Sequence, residues 1–220
     1  MSVWAIVAAA GRGDRLGADR PKAFVGLGGR VLLAESLDRL EACGQIDAIV
    51  VAAPVGWEEP TILLAEELAA DKVIAVVPGG ATRSGSVAAA LAEVGDGAEA
   101  VLVHDAARPL VTDGLVERLL AALRSGWDGA VPGLAVADTV KRVEDGRVVE
   151  TLDRGGLAAV QTPQAFRADV LRAAYAVGGE ATDCAALVEA QGGRVTVVDG
   201  DPRLVKITTP ADLELVQSWL

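Results

Sequence analysis

Short, wholly apolar segments alternate along the chain with longer amphipathic ones, and this alternation restricts the possible folds more than any other feature. Strands that are apolar on both faces are typical of parallel sheets buried between two layers of helices. We therefore expect an α/β fold, a three-layer α/β/α domain with a mostly parallel, twisted, Rossmann-like sheet. The predicted strands are residues 3–9, 46–52, 72–77, 100–104, 129–132 and 194–198.

The segments between these strands have one apolar face with helical spacing. The predicted helices are residues 31–42, 57–70, 84–93, 113–125, 169–177 and 183–191. A last helix begins after Thr209, because Thr209 can cap it, Pro210 suits its first position and Asp212 completes a capping box. A chain of 220 residues can bury one full core, so we expect a single domain, 1–220.

Residues 136–156 do not follow this pattern. Residues 139–143 and 147–151 alternate in polarity around Glu144-Asp145-Gly146, which indicates a β-hairpin. We expect residues 138–152 to form a protruding arm. An isolated two-stranded hairpin is only marginally stable in water, so the apolar face of the arm needs another surface to cover it.

Composition excludes several classes of protein. A net charge of −11 argues against binding to nucleic acid or anionic membranes, which requires a basic surface. Apolar stretches are broken well before the roughly 18 residues of a membrane span, and no secretion signal is evident. Cys43 and Cys184 have no CxxC spacing, and the lone His104 excludes zinc sites with two imidazoles. We expect a cytoplasmic protein in which any metal has oxygen ligands.

A loop of small residues, 8–17, follows the first predicted strand and could bind phosphates through its backbone N–H groups. Leu16 stands where the dinucleotide motif GxGxxG needs its third Gly, and no Walker motif GxxxxGK[ST] is present. The loop instead carries Arg15, and Lys22 follows it directly after Pro21. We expect these two cations to bind a polyphosphate from one side.

The pattern AAAGRGxRxGxxxPK at residues 8–22 resembles the signature of the 2-C-methyl-D-erythritol 4-phosphate cytidylyltransferases. Further motifs follow in the family's order, at residues 79–87, 103–109, 138–141, 153–157, 161–166, 182–183 and 205–208. The departures are mild. They are Ala23 in place of a usual Gln, Gly155 in place of a common Asn, Cys184 in place of a common acidic residue and Leu204 in place of a frequent Asn.

This resemblance implies transfer of CMP from CTP to 2-C-methyl-D-erythritol 4-phosphate in isoprenoid precursor biosynthesis, with release of pyrophosphate. The acceptor phosphate would attack the α-phosphorus in line. Catalysis is then assigned to three cations that neutralise the developing charge: Arg15, Lys22 and Lys206. The implied nucleotide-binding residues are Ala9, Ala10, Gly11, Gly13, Gly80 and Ser86. The implied acceptor-binding residues are Asp105, Arg108, Thr139, Arg154 and Thr162.

His104 is the last residue of the fourth predicted strand, and Asp105 follows it directly. Asp105 lies where open α/β sheets bind their ligands, so it could also contact Mg²⁺, which we expect mainly on the phosphates of CTP. A helix cap or an ion pair with Arg108 is the alternative for Asp105. His104 should face the other side of the sheet, and we expect a structural role for it, since an ionised phosphate needs no general base.

The resemblance also implies a homodimer with exchanged arms, in which Arg154 completes the acceptor site of the partner chain. Three alternatives to the implied activity stay open at this stage. A ribitol 5-phosphate cytidylyltransferase would share the loop, the heptad and the arm. An NAD-type dehydrogenase is disfavoured by the missing third Gly. A non-catalytic nucleotide-binding protein could retain the fold without the chemistry.

Overall fold

The computed structural model describes residues 1–13, 16–17 and 19–220. The strands are β1 (Val3–Ala8), β2 (Gly26–Leu27), β3 (Arg30–Val31), β4 (Ala48–Ala53), β5 (Val73–Pro78), β6 (Ala100–Asp105), β7 (Gly129–Ala135), β8 (Lys141–Glu144), β9 (Arg147–Thr151), β10 (Ala158–Val160), β11 (Gln164–Arg167) and β12 (Val195–Asp199). The helices are α1 (Leu32–Ala42), α2 (Glu58–Glu67), α3 (Arg83–Leu91), α4 (Asp113–Arg124), α5 (Ala168–Val177), α6 (Cys184–Ala190) and α7 (Pro210–Gln217).

Among these residues, eight strands form the central sheet in the order β10-β7-β11-β6-β1-β4-β5, with β12 also paired to β7. Strands β6, β1, β4 and β5 run parallel, as do β7 and β12. Only β10 and β11 pair antiparallel with their neighbours in this sheet. The predicted mostly parallel sheet is therefore confirmed.

Helices cover both faces of the sheet, because successive side chains of a strand point to opposite sides. In β6, for example, Ala100 and Leu102 pack into one core with α1 and α4. Val101 and Val103 pack into a second core with α3, α5 and α6. A smaller third cluster joins α7 to the segment around Leu27. The two main cores confirm the predicted three-layer architecture.

The predicted helices and the six predicted strands are all present, with ends that differ by a few residues. The capping box at the start of α7 is also present, since the Thr209 hydroxyl accepts from the Asp212 N–H at 3.3 Å and the Asp212 carboxylate accepts from the Thr209 N–H at 2.8 Å. Strand β11 was not predicted. It lies between β6 and β7 and pairs with both.

The arm is an antiparallel hairpin of β8 and β9, as predicted, and it forms a sheet of its own. Its turn places Asp145 (φ 48°) and Gly146 (φ 78°) in the left-handed region, which a two-residue hairpin turn of type I′ requires. Every residue of the two strands is exposed. Val143 and Val148 lie opposite each other and are 54% and 55% exposed, so the arm has an uncovered apolar face within this chain.

No helix in the described part of the chain is long and apolar enough to cross a membrane.

Candidate active site

A cleft of about 920 Å³ lies at the carboxyl ends of β1, β4, β5 and β6. Its described wall consists of the residues that follow these four parallel strands, together with Lys22 from the amino-terminal loop and Lys206 from the segment before α7. This is the edge at which open α/β sheets bind their ligands. The predicted residues Ala9, Ala10, Gly11, Gly13 and Gly80 all line the cleft.

The loop after β1 folds back so that Lys22 lies against it. The Lys22 N–H donates to the Gly11 carbonyl at 3.2 Å. Gly13 has a φ of 78°, and a Cβ atom there would lie only 2.8 Å from the Cβ of Lys22, so glycine is required. This contact places Lys22 at the cleft, and its catalytic role stays a prediction. Arg15 lies outside the described residues.

A second glycine loop, after β5, also lines the cleft and lies beside the first, since a Cβ atom at Gly79 would be 2.2 Å from the Cβ of Ala10. A Cβ atom at Gly80 would lie 2.7 Å from the carbonyl carbon of Gly85, so the loop can close only without a side chain there. The buried Ser86 hydroxyl accepts from the Gly80 N–H at 3.1 Å and donates to the Thr82 carbonyl at 2.9 Å. Ser86 therefore fixes the shape of this loop, and its contact with a base stays a prediction.

Asp105 ends β6 and lines the cleft, with a side chain only 8% exposed. One carboxylate oxygen accepts from Arg83 Nε at 3.0 Å and the other from Lys206 Nζ at 2.7 Å. Burial raises the pKa of this carboxyl, but Arg83 and Lys206 outweigh burial and hold the pKa well below its usual value. Asp105 is therefore ionised. The alternative of an ion pair with Arg108 is wrong, because Arg83 and Lys206 take the two oxygens.

Backbone contacts fix the segment that carries Lys206. The Ile207 N–H donates to the Ala107 carbonyl at 2.9 Å, and Arg108 Nη1 donates to the Leu204 carbonyl at 2.8 Å. Burial, together with nearby Arg83, lowers the pKa of Arg108, although Asp105 opposes this. The buried Arg108 Nε has no hydrogen-bond partner among the described residues. Arg108 thus lies behind the cleft wall and supports the Lys206 segment.

His104 is fully buried and is not among the described residues that line the cleft. Its Nε2 donates to the Arg108 carbonyl at 3.0 Å, since a carbonyl oxygen can only accept. Its Nδ1 lies 3.4 Å from the Thr162 hydroxyl, which itself accepts from the Asp105 N–H at 3.0 Å. Burial lowers the pKa of His104 to about 4. The imidazole is therefore neutral and occupies a structural position, as expected.

Not every predicted acceptor residue reaches this cleft. Thr139 and Arg154 are exposed beside the arm, and the Arg154 guanidinium donates to the Ala137 carbonyl. Thr162 is buried behind Asp105. The assignment of Thr139, Arg154 and Thr162 to the acceptor stays a prediction.

Arg83 is a charged cleft residue that the sequence analysis did not assign to the site. It begins α3, lines the cleft and contacts Asp105. It lies inside the 79–87 motif, but nothing in the motif indicates a partner 22 residues away.

A protein-held metal centre does not fit these residues. The described residues contain no group of three or more His, Cys, Asp or Glu side chains that could hold a metal ion. Asp105 is the one carboxylate among the described residues of the cleft, and two cations already bond its oxygens. A divalent cation at this site would therefore need its ligands mainly from the substrate.

Comparison with known proteins identifies the family. Residues 3–220 match the profile of the 2-C-methyl-D-erythritol 4-phosphate cytidylyltransferases. The chain belongs to this family. A cytidylyltransferase of this name from Nocardia farcinica is 50% identical over 220 residues, covering 100% of this chain and 94% of that protein. The match confirms the resemblance found in the motifs and excludes an NAD-type dehydrogenase.

Solved structures of the same family share the fold. The crystal structure of the cytidylyltransferase from Thermus thermophilus is 37% identical with a TM-score of 0.79, covering 100% of this chain and 98% of that one. The crystal structure of 4-diphosphocytidyl-2C-methyl-D-erythritol synthase from Anaerococcus prevotii is 29% identical with a TM-score of 0.85, covering 99% and 97%. The chain is therefore a nucleotidyltransferase by family along its whole length.

Proposed function

We propose that this chain transfers CMP from CTP to 2-C-methyl-D-erythritol 4-phosphate, releasing pyrophosphate and forming 4-diphosphocytidyl-2-C-methyl-D-erythritol. The observation that carries the proposal is a cleft with two glycine loops and two lysines, Lys22 and Lys206, in a chain that matches the family over residues 3–220. Two loops of small residues suit a nucleotide, because they can expose backbone N–H and carbonyl groups to it.

The reaction is mainly a problem of charge. The acceptor phosphate is a dianion or close to it near neutral pH, and it must approach a triphosphate that is also negative. An oxygen of this phosphate attacks the α-phosphorus of CTP, and the bond from the α-phosphorus to the bridging oxygen of pyrophosphate breaks in line with it. We assign the stabilisation of this charge to Lys22, Lys206 and Arg15. Removal of one such group typically slows turnover by about 10²–10³.

No general base is needed in this mechanism. The attacking oxygen is already ionised, and His104 is buried, neutral and bonded to the Arg108 carbonyl. Asp105 holds Lys206 at 2.7 Å, so its first role is to place a cation and not to take a proton.

We further propose that the true nucleotide substrate is CTP with a divalent cation on its phosphates, since the described cleft offers a single carboxylate. Mg²⁺ keeps several waters and binds readily to substrate phosphates. Pyrophosphate release should stop in excess chelator and return with added Mg²⁺. Undiminished turnover in chelator would contradict this.

The substrate assignment is tested by one matrix of assays. Pyrophosphate release is measured with CTP, UTP, ATP and GTP, each against 2-C-methyl-D-erythritol 4-phosphate and ribitol 5-phosphate. We expect turnover with CTP and the methylerythritol phosphate to exceed every other pair. Preference for ribitol 5-phosphate would favour the sister activity, and no release with any pair would favour a non-catalytic nucleotide-binding protein.

We also propose that the active form is a homodimer with exchanged arms. Two observations support it: the apolar face around Val143 and Val148 is uncovered, and Arg154 is exposed away from the described cleft of its own chain. In a two-fold dimer the partner's identical arm can cover that face, and Arg154 can enter the partner's cleft.

Complementation between inactive variants tests this exchange. Lys22→Ala and Arg154→Ala chains are co-expressed, and mixed dimers are confirmed by mass. If Arg154 acts in the partner's cleft, one site of each mixed dimer carries both lesions and the other carries none. With random pairing, roughly a quarter of wild-type activity should return.

A matched control uses two lysines of one cleft. Lys22→Ala and Lys206→Ala mixed dimers carry one lesion in each site, so no activity should return. Recovery in neither pair would mean that Arg154 serves its own chain.

A further inference from the structure

Arg83 lies in the cleft wall with contacts that the proposed mechanism does not use. Its Nε donates to one oxygen of Asp105 at 3.0 Å, and its Nη1 lies 3.5 Å from the sulfur of Cys184. Its Nη2 is buried without a hydrogen-bond partner among the described residues. The Arg83 side chain is 24% exposed, but a buried N–H group without a partner is costly and calls for an explanation.

We propose that Arg83 is a positioning residue, which holds one oxygen of Asp105 so that the other oxygen presents Lys206 to the phosphates of the nucleotide. The inference rests on the proposed function, because it gives Lys206 its target. Arg83 then acts through Asp105 and Lys206 and does not itself contact the reacting atoms.

The chemistry of the two cations, Arg83 and Lys206, supports these separate roles. The ammonium group of Lys206 is a point charge on a flexible stem and could bond either oxygen of a free carboxylate. The terminal torsion of an Asp side chain is broad, so the carboxylate could also rotate. The guanidinium of Arg83 is planar and directional. Once Arg83 occupies one oxygen, both the carboxylate plane and the place left for Lys206 are fixed.

Arg83 is itself held firmly. It is the first residue of α3, whose N-terminus is capped by the Thr82 hydroxyl accepting from the Gly85 N–H at 3.1 Å. Behind it, Cys184 has its backbone N–H bonded to Gln164 Oε1 at 3.2 Å and its sulfur 3.2 Å from the Tyr175 hydroxyl. Burial raises the pKa of the Cys184 thiol, so this neighbour is neutral. Asp105 is then the described carboxylate with which Arg83 forms its ion pair.

The local charge indicates that Arg83 is not needed simply to neutralise Asp105. Three cations, Arg83, Arg108 and Lys206, act on the one carboxylate of Asp105. In an Arg83→Gln variant, Lys206 still bonds Asp105, so no buried carboxylate is left without a partner. We therefore expect this variant to fold and to lose only the fixed orientation of Asp105 and Lys206.

A double-mutant cycle separates positioning from a merely structural role. Arg83→Gln, Lys206→Ala and the double variant are compared with wild type by steady-state kinetics on CTP and the acceptor. Arg83→Gln should lower kcat at least 10-fold with little change in the KM for CTP, since Lys206 acts where charge develops. The double variant should be no slower than Lys206→Ala alone.

The control is Arg172→Gln. Arg172 is a partly buried arginine whose side chain donates to the Val94 and Gly95 carbonyls at 2.7 and 2.8 Å, and it is not among the described residues of the cleft. We expect its loss to leave kcat and KM unchanged. Circular dichroism and thermal unfolding show whether each variant is folded.

The same double-mutant cycle is repeated without turnover, by measuring the binding of inorganic pyrophosphate to each variant by calorimetry. Free pyrophosphate carries the charge that develops on the leaving group, so Arg83→Gln should weaken its binding in the wild-type background and leave it unchanged in the Lys206→Ala background. If wild type fails to turn over CTP and the acceptor, the proposed function is wrong, and the binding cycle still tests Arg83. The inference is overturned if Arg83→Gln keeps wild-type kcat, or if its effect in either cycle is as large without Lys206 as with it.

Discussion

We expect the wild-type protein to lose stability at mildly acid pH because of His104, and a His104→Gln variant to lose much less. Burial lowers the pKa of His104 to about 4, although Asp105 and the bond to the Arg108 carbonyl favour the charged form and the charge of Arg108 opposes it. The ordinary pKa in an unfolded chain is about 6.5. Between these values the unfolded chain binds a proton that the folded chain does not, so the free energy of unfolding falls as pH decreases from about 6.5 to about 4 and is constant above.

The magnitude follows from the two pKa values. The full difference corresponds to roughly 3 kcal/mol, at about 1.36 kcal/mol per pKa unit. Between pH 7 and pH 5 the linkage relation gives a loss of about 2 kcal/mol. With a urea m value of about 3 kcal/mol/M, the unfolding midpoint should fall by roughly 0.7 M.

The assay is urea unfolding at pH 7 and pH 5, followed by fluorescence of the four tryptophans. His104 is the only histidine in the sequence, so no other imidazole titrates in this window. The His104→Gln variant keeps an amide that can donate to the Arg108 carbonyl but has no group that titrates, so its midpoint should change much less. It should also keep most of its kcat. An equal loss in both proteins would refute the argument that burial excludes the imidazolium.

Three further predictions concern the cleft and the last helix. Lys22→Ala should lower kcat far more than it raises the KM for CTP, because the charge it stabilises develops in the transition state; near-wild-type kcat would contradict its assignment. Gly80→Ala should raise the KM for CTP, since its Cβ would lie 2.7 Å from the Gly85 carbonyl carbon, whereas Gly97→Ala, with nothing within 4 Å, should not. Asp212→Asn should cost about 1 kcal/mol of stability at neutral pH, discounted for its partial exposure. The Thr208 hydroxyl and backbone N–H groups hold the pKa of Asp212 at about 2, so this cost should shrink as pH falls from about 4 to about 2 in thermal unfolding; an unchanged cost would refute it.

The sequence predicted the elements whose pattern is local. Long apolar strands such as β1 and amphipathic helices such as α4 have a period that is visible without tertiary information. Strand β11 has four residues, begins with Gln164 and ends with Arg167, so it has too little alternation to detect. It becomes a strand because β6 and β7 both have unpaired edges where it lies.

The candidate site shows the same difference between local patterns, which the sequence reveals, and long-range contacts, which it does not. The residues of the two glycine loops could be assigned because they are adjacent in motifs. The contacts of Asp105 could not, because Arg83 and Lys206 are separated from it by 22 and 101 residues. Sequence spacing also does not tell whether Arg154 acts in its own chain or in a partner.

The position of β1 in the sheet has a consequence for how ligand binding and folding are linked. This first strand lies inside the sheet, between β4 and β6, and the loop that follows it lines the same cleft as Lys206. A nucleotide bound there would contact segments that are far apart in sequence, near the two ends of the chain. Such a site forms only when the long-range pairs are complete, so it is absent from partly folded chains. Bound nucleotide should therefore slow amide hydrogen exchange most in the central strands, which exchange through global unfolding, and not only in the loops it touches.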